Sequence, residues 1–242
     1  MDNADIFEGD PNRQEGVMAQ GNNHGGIEEA NGQWYVFYHR QTDRGSFSRQ
    51  ACAEKIFFDS QGRIRQAEIT SCGLNDGPLA GEGVYPANIC CHLSQGGKTT
   101  FSHPMAMGEN FPYLTQDEKD ITPEDVGFPE SARRDAAFPV QFVRNFKDQS
   151  IMGFKYFDCR GLKRAGLTLR GKAEGTIVVS TVPLTAENSD PAAVIGEISV
   201  DVNTEQWTTV SGEVNLADGV WALYFTGKGL TGPLDIAQIE LG

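Results

Sequence analysis

The amino-acid sequence predicts an all-β protein. Helical periodicity is almost absent, whereas eight short runs carry the alternating or clustered apolar residues that are typical of strands. The 28 glycines and 11 prolines are spread through the chain, as in proteins with many short strands and turns. The 242 residues suffice for two modest domains, which we place at residues 1–110 and 111–242.

Turn signals separate the predicted strands. Asn31-Gly32 predicts a hairpin between a short strand and the apolar run that follows, because both residues tolerate positive φ. Ser60–Gly62 and Ala217–Gly219 predict further turns. The predicted strands are residues 33–39, 48–58, 64–69, 176–182, 195–202, 207–214, 220–225 and 234–241.

The first run is apolar on both faces. Trp34, Tyr35, Val36, Phe37 and Tyr38 follow one another, which indicates a strand covered on both sides rather than an exposed hairpin. By contrast, residues 96–135 are rich in Pro, Asp, Glu and Gly and show little alternation. We interpret the front part of this segment as a connector, with the domain boundary near residue 110, and its later part as a charged loop of the second domain.

The charge and the cysteine content of the chain restrict the partners and the chemistry that we expect of it. Acidic residues outnumber basic ones by 33 to 20, and the resulting net charge of −13 argues against a nucleic-acid partner but not against a neutral glycan. No apolar run is long enough to cross a membrane. The five cysteines include no CxxC motif. They are therefore expected to be thiols without chemistry, or to include one disulfide formed in an oxidising compartment. Adjacent Cys90 and Cys91 should not bridge to each other.

Several motifs in residues 15–95 resemble, in order, the closing blades of glycoside hydrolase family 43. They are NNHGG, NGQWYVFYHR, SRQACAE and ITSCGLNDGPLAGEGVYPANICCHL. The resemblance implies about two blades of a five-bladed β-propeller that hydrolyses α-L-arabinofuranosides or β-xylosides with inversion. It also implies that the catalytic carboxylates precede the matching positions, so no catalytic residue is assigned here. Two blades cannot close a propeller, because their strand edges would stay exposed.

The same resemblance implies roles for two residues. His24 matches the central histidine of the family, which in many members helps to hold calcium, and Arg49 matches the arginine that contacts the sugar. The alternatives are a loop histidine that caps a carbonyl and a strand arginine that pairs with Glu54 or Asp43. Glu28 and Glu29 lie beside the predicted hairpin turn, so we interpret them as solvated rather than catalytic.

The second domain predicts a β-sandwich of the jelly-roll type. Its closing motifs WTTVSGEV, GVWALYFTG and LDIAQIEL resemble a family 6 carbohydrate-binding module. The resemblance implies a structural calcium held by Asp235 together with Glu118 or Gln116; a solvated turn aspartate is the alternative. Three aromatic residues could stack on a sugar, but their positions within apolar strands favour core packing: Tyr156, Trp207 and Trp221.

These features predict the C-terminal part of a glycoside hydrolase acting on arabinose- or xylose-containing plant polysaccharides such as arabinoxylan and xylan. We expect it to be inactive alone and to need the missing N-terminal half of the propeller. A non-catalytic carbohydrate-binding protein and one chain of a split two-chain hydrolase are the alternatives. The parent enzyme is expected to be extracellular or periplasmic. The acidic, polar N-terminus does not resemble a signal peptide, so the chain as written is expected to be cytoplasmic or to lack the start of its gene.

Overall fold

The computed structural model describes residues 25–42, 49–98, 110–115, 141–186 and 188–242. These residues form a small antiparallel sheet followed by a larger curled sheet, which confirms the predicted all-β class. No helix in these described ranges is long and apolar enough to span a membrane.

The first sheet has three strands in the order β1-β2-β3. They are β1 (Gly26–Ala30), β2 (Gln33–Gln41) and β3 (Arg49–Lys55). The predicted hairpin between β1 and β2 is confirmed, because Asn31 and Gly32 have φ angles of 53° and 80° and Ala30 pairs with Gln33. Tight two-residue hairpins of this kind require positive φ at both turn positions.

The second sheet has ten strands. Its central order is β4-β9-β12-β10-β13-β8-β7, with β5 beside β13, β6 beside β9 and β11 beside β10. The strands are β4 (Leu79–Ala80), β5 (Gly83–Pro86), β6 (His92–Gln95), β7 (Tyr113–Thr115), β8 (Phe142–Phe146), β9 (Ser150–Cys159), β10 (Arg164–Ser180), β11 (Val194–Glu213), β12 (Gly219–Lys228) and β13 (Leu234–Leu241). Short 3-10 helices occupy Ala87–Ile89 and Pro191–Ala193.

The long strand β10 bends the second sheet into a sandwich. Its first half pairs with β13 and its second half with β12, so the strand passes from one half of the sheet to the other. Gly171 ends the first stretch and Gly175 directly precedes the second, with φ angles of 138° and 144°, values that glycine adopts far more readily than other residues. A strand that changes partners at such a bend forms a corner of the sandwich.

One apolar core fills the space between the two halves. Large side chains from β9, β12, β8 and β13 meet there, including the fully buried Phe154, Phe225, Val143 and Ile236. Phe154 and Phe225 pack edge to face with 5.9 Å between ring centroids. Burying each such side chain stabilises the fold by about 1.5–3 kcal/mol, so this core is the main source of the sandwich's stability.

Several predicted elements differ from the observed ones. The strands predicted at 195–202 and 207–214 form one continuous strand, β11, and the strand predicted at 64–69 does not form. Within that segment the Arg65 amide donates to the Phe57 carbonyl, and directly after it the Thr70 amide donates to the Glu54 carboxylate and the Ser71 amide to the Lys155 carbonyl.

The predicted division at residue 110 stays a prediction. Strands β4, β5 and β6 precede residue 110, yet they pair with β9 and β13 of the second sheet. Strand pairing therefore joins segments from both sides of that position.

All five cysteines are free thiols in the structure, and Cys90, Cys91 and Cys159 are buried. Burial raises the pKa of the Cys90 thiol to about 11. A thiol that is buried and protonated at neutral pH is a poor nucleophile. The structure therefore has no disulfide among the five cysteines, and its burial makes Cys90 a poor nucleophile.

Candidate functional site

A polar cleft lies on the outer surface of the second sheet. Its volume is about 860 Å³, and its walls come from β7, β8, β10, β11 and the start of β13. Successive side chains of a strand point to opposite faces of the sheet. In β10, Leu167 and Leu169 are buried in the core, so Arg170, which follows Leu169, lies on the outer face where the cleft is. The side chains that define the cleft are Arg144, Asn145, Arg170, Gln206, Trp207 and Asp235.

Asp235 forms the centre of a charged network in this cleft. Its Oδ2 atom accepts hydrogen bonds of 3.1 Å from both Nε and Nη2 of Arg170. Its Oδ1 atom lies 3.4 Å from Nε of Arg144. The three side chains are 16–18% exposed, so the network is largely shielded from water. Charge-assisted bonds of this type fix the geometry of polar groups that a ligand can then contact.

Trp207 forms the aromatic side of the cleft. The guanidinium carbon of Arg170 lies 4.5 Å from the centroid of the indole ring, and the ring of Phe142 packs edge-on against it at 5.4 Å. The indole is nevertheless 37% exposed. The prediction that Trp207 packs in the core is therefore wrong, whereas Trp221 does pack against the core, as predicted.

The surroundings of Asp235 do not fit a calcium ion. Calcium prefers several oxygen ligands, but both oxygens of this carboxylate face guanidinium groups. Within the described ranges no group of three or more His, Cys, Asp or Glu residues could hold a metal. Glu118, Gln116 and His24 lie outside the described residues, so the calcium predicted for them stays a prediction.

A second network surrounds Glu54 in the first sheet. The side chain is 3% exposed; its Oε1 accepts from the Thr70 amide at 2.8 Å, and its Oε2 accepts from the Thr70 hydroxyl at 2.7 Å. The Tyr38 hydroxyl donates to Oε1 at 3.3 Å. Burial raises the pKa of Glu54 to about 7. Because both oxygens bind residue 70, this carboxyl holds the segment after β3 in place.

The other predicted residues fall in different places. Arg49 is the first residue of β3, opposite Gln41, and is half-buried. Glu28 and Glu29 are exposed on β1, as expected of solvated carboxylates. The structure thus places Arg49 in the first sheet and Asp235 in the cleft of the second sheet, on separate elements. The roles predicted for Arg49 and His24 stay predictions.

Arg144 and Arg170 were missed by the sequence reasoning. A signal for Arg170 exists, because LTLRG alternates apolar and polar residues and puts it on the outer face of its strand. The same alternation in β13 places Asp235 outside, and Arg170 is opposite Asp235 in the strand register. The pairing of β10 with β13, which no local pattern reveals, brings them together.

The cleft is suited to binding rather than to hydrolysis. Inverting hydrolysis of a glycoside requires two carboxyl groups about 6.5–9.5 Å apart with a water molecule between them. Of the carboxylates that line this cleft, Asp235 is engaged by two arginines and Glu205 is an exposed residue of β11. An aromatic face beside fixed charged donors and acceptors is a composition that recognises polyhydroxylated ligands.

Comparison with known proteins gives a relative and a fold. The chain is 42% identical over 211 residues to a xylosidase/arabinosidase from Thermoclostridium stercorarium; the match covers 86% of this chain and 40% of the relative. The chain therefore spans about two fifths of that relative's length. No family model matches the chain.

Solved structures add a fold match. A glycoside hydrolase family 43 arabinoxylan arabinofuranohydrolase from Bacillus subtilis, solved with cellotetraose, superimposes with a TM-score of 0.52 at 17% identity, covering 91% of this chain and 41% of that one. A family 6 carbohydrate-binding module from Clostridium stercorarium, solved with cellobiose, gives a TM-score of 0.45 at 12% identity, covering 69% and 98%. In sequence the chain is thus similar to a xylosidase/arabinosidase, and in fold to a family 43 arabinofuranohydrolase, which confirms its resemblance to glycoside hydrolase family 43.

Proposed function

We propose that this chain is part of a glycoside hydrolase that acts on arabinose- or xylose-containing polysaccharides. The observation that carries the proposal is the 42% identity to a xylosidase/arabinosidase over 86% of the chain. The fold shared with an arabinoxylan arabinofuranohydrolase supports it. Because polysaccharides are too large to enter a cell intact, we place the parent enzyme outside the cytoplasm, in the medium or the periplasm.

The proposal assigns catalysis and carbohydrate binding to different parts of the parent enzyme. The family resemblance implies that the carboxylates for inverting hydrolysis precede the positions matched here, and the described residues around Asp235 offer no suitable pair. We therefore propose that the catalytic carboxylates come from an N-terminal propeller half and that this chain is inactive alone. The sandwich would act as a carbohydrate-binding module, in which Trp207 contacts a sugar ring and the Arg144–Asp235–Arg170 network contacts its hydroxyls.

Reconstitution tests this proposal. The purified chain would be assayed on an aryl arabinofuranoside, an aryl xyloside and arabinoxylan, alone and after mixing with the recombinant N-terminal part of the xylosidase/arabinosidase relative. We expect hydrolysis only in the mixture. Release of sugar by the chain alone, abolished by a substitution of one of its own Asp or Glu residues, would show that the catalytic carboxylates are present here.

The cleft also supports a second candidate function, that of a non-catalytic carbohydrate-binding protein. Under this alternative the chain binds xylan fragments, mixing with an N-terminal half produces no hydrolysis, and Trp207→Ala removes the binding. Trp221→Ala is a poor control because that side chain packs against the core. Val220→Ala, at an exposed position that does not line the cleft, is the better control.

A further inference from the structure

A second pocket lies where the first sheet meets the sandwich, and neither the family resemblance nor the cleft accounts for it. This junction pocket has a volume of about 330 Å³, near the lower end of the range for small-molecule sites. Its walls come from the end of β3, from residues 65–78 and from Tyr156 of β9. It is separate from the cleft, with which it shares no lining residue.

Two aromatic rings line the junction pocket. Phe57 is 57% exposed, among the most exposed of the large apolar side chains in the described residues. The Tyr156 ring is held by its hydroxyl, which donates to Glu68 Oε1 at 2.8 Å. An exposed ring that lines a pocket offers an apolar surface which a ligand can cover.

Glu68 supplies a polar contact in the same pocket. Its Oε1 atom accepts from Tyr156 and also from Nζ of Lys155 at 2.9 Å, and Lys155 is 2% exposed. None of the described residues donates to the second oxygen, Oε2. A purely apolar ligand would remove water from this oxygen without replacing the hydrogen bond, which disfavours its binding. A ligand with hydroxyl groups avoids that loss.

The charges of the junction pocket largely offset one another. Lys55 pairs with Asp76 at 2.7 Å, and Glu68 pairs with the buried Lys155. The exposed Arg65 and the buried Glu54 are the other acidic or basic residues that line the pocket. A strongly charged ligand would therefore gain little, whereas an uncharged ring with apolar C–H faces and peripheral hydroxyls matches two aromatic walls and one carboxylate acceptor.

We propose that the junction pocket is a subsite for one neutral sugar ring of an oligosaccharide, in which Phe57 and Tyr156 contact the ring and Glu68 Oε2 accepts a hydroxyl. The choice of a carbohydrate as the ligand rests on the function proposed above. The pocket and its contacts are observed independently of that function. A sugar bound here touches both the first sheet and the sandwich.

Neighbouring phenylalanines provide a matched pair of variants. Phe57 lines the pocket, whereas Phe58, 42% exposed, packs edge-on against Trp34 at 5.8 Å and does not line it. The full chain and its Phe57→Ala, Phe58→Ala and Trp207→Ala variants would be titrated with xylotetraose by calorimetry, after circular dichroism has established that each is folded. We expect Phe57→Ala to weaken one binding event five- to tenfold and Phe58→Ala to leave it within twofold, as the loss of one aromatic contact implies.

Amide chemical shifts provide a readout that needs no variant. Gly73 and Gly77 line the junction pocket, and their amide signals should move on titration, while that of Gly242 at the end of the chain should not. Binding that is removed by Trp207→Ala, with Phe57→Ala and both glycine signals unchanged, would overturn the junction subsite and leave the proposed function intact. A flat titration would also overturn it, whereas the reconstituted hydrolysis assay decides the proposed function independently.

Discussion

At the scale of single residues, burial decides the chemistry of the carboxylates. Glu54 is enclosed and bound by Thr70 and Tyr38, and burial raises its pKa to about 7. Glu68 keeps one oxygen without a donor from the described residues, and Asp235 is paired with two arginines. These three acidic residues therefore have different roles. Glu54 fixes the segment after β3, Glu68 is a proposed ligand contact, and Asp235 is the centre of a charged network.

The raised pKa of Glu54 predicts a pH-dependent stability. Its pKa is higher in the folded state than the usual value of 4.5, so the folded state binds the proton more tightly. The stabilisation is fully present below about pH 4.5 and is lost as the pH rises through about 7, with a total of up to about 3 kcal/mol. Glu54→Gln, which mimics the protonated side chain, should lack this component.

Urea unfolding of the wild type and of Glu54→Gln between pH 4.5 and 8 measures this pH-dependent stabilisation. The difference in unfolding free energy between wild type and Glu54→Gln is the readout, because other groups titrate as well. His92 in particular has its pKa lowered to about 3 by burial, so it contributes stability that is lost as the pH falls below 6.5. A difference that does not change with pH would contradict the prediction, and exposed Glu28→Gln is the control.

At the scale of elements, local irregularities redirect side chains. Regular alternation would place Phe154 and Tyr156 on one face, but the register between β9 and β12 shifts between the pairs Trp221–Phe157 and Leu223–Phe154. Phe154 and Phe157 are therefore both fully buried, and Tyr156 faces the junction pocket instead of the core. A bulge of this kind reverses the face of every later residue in its strand.

The bend of β10 predicts a local loss of stability on substitution. A Cβ atom at Gly175 would lie 2.7 Å from the Gly229 carbonyl oxygen, and its φ of 144° disfavours any L side chain. Gly175→Ala should lower the unfolding free energy by about 2–4 kcal/mol. Gly26→Ala, which meets no atom within 4 Å and has no positive φ, should change it by less than about 1 kcal/mol. Equal effects in urea titrations would count against the corner role of Gly175.

At the scale of the whole molecule, Arg40 joins the two sheets. It is 6% exposed on β2; its Nη1 donates to the Cys90 carbonyl at 2.6 Å, its Nη2 donates to the Asn88 carbonyl, and its Nε donates to Gln50 at 2.7 Å. The two carbonyls follow β5, which belongs to the second sheet. A planar guanidinium can satisfy these acceptors together, which a lysine cannot.

Removing this guanidinium should loosen the first sheet. Arg40→Met removes the side-chain donor to the buried Cys90 carbonyl, whereas the Asn88 carbonyl keeps the Gln50 amide, and we expect a loss of about 3 kcal/mol together with faster cleavage between residues 56 and 66 in limited proteolysis. Arg160→Met, at an exposed ion pair with Asp158, is the matched control and should change neither measurement appreciably. Unchanged proteolysis of the Arg40→Met protein would show that other contacts hold the sheets together.

The sequence by itself determined the elements whose cause is local. The all-β class, the Asn31-Gly32 hairpin and the last strand, predicted at 234–241 and observed at Leu234–Leu241, follow from turn chemistry and from alternation between neighbours. The family resemblance likewise followed from motifs that lie within short stretches.

Only the tertiary structure decided which residues form sites. Arg170 and Asp235 are 65 positions apart, Tyr156 and Glu68 are 88 apart, and Arg40 and Cys90 are 50 apart. Each contact depends on strand pairing across the sheet, on one bulge in β9 or on packing of the first sheet against the sandwich. Such non-local contacts carry no periodic signal, because the side chain's environment is set by chain segments far away in the sequence.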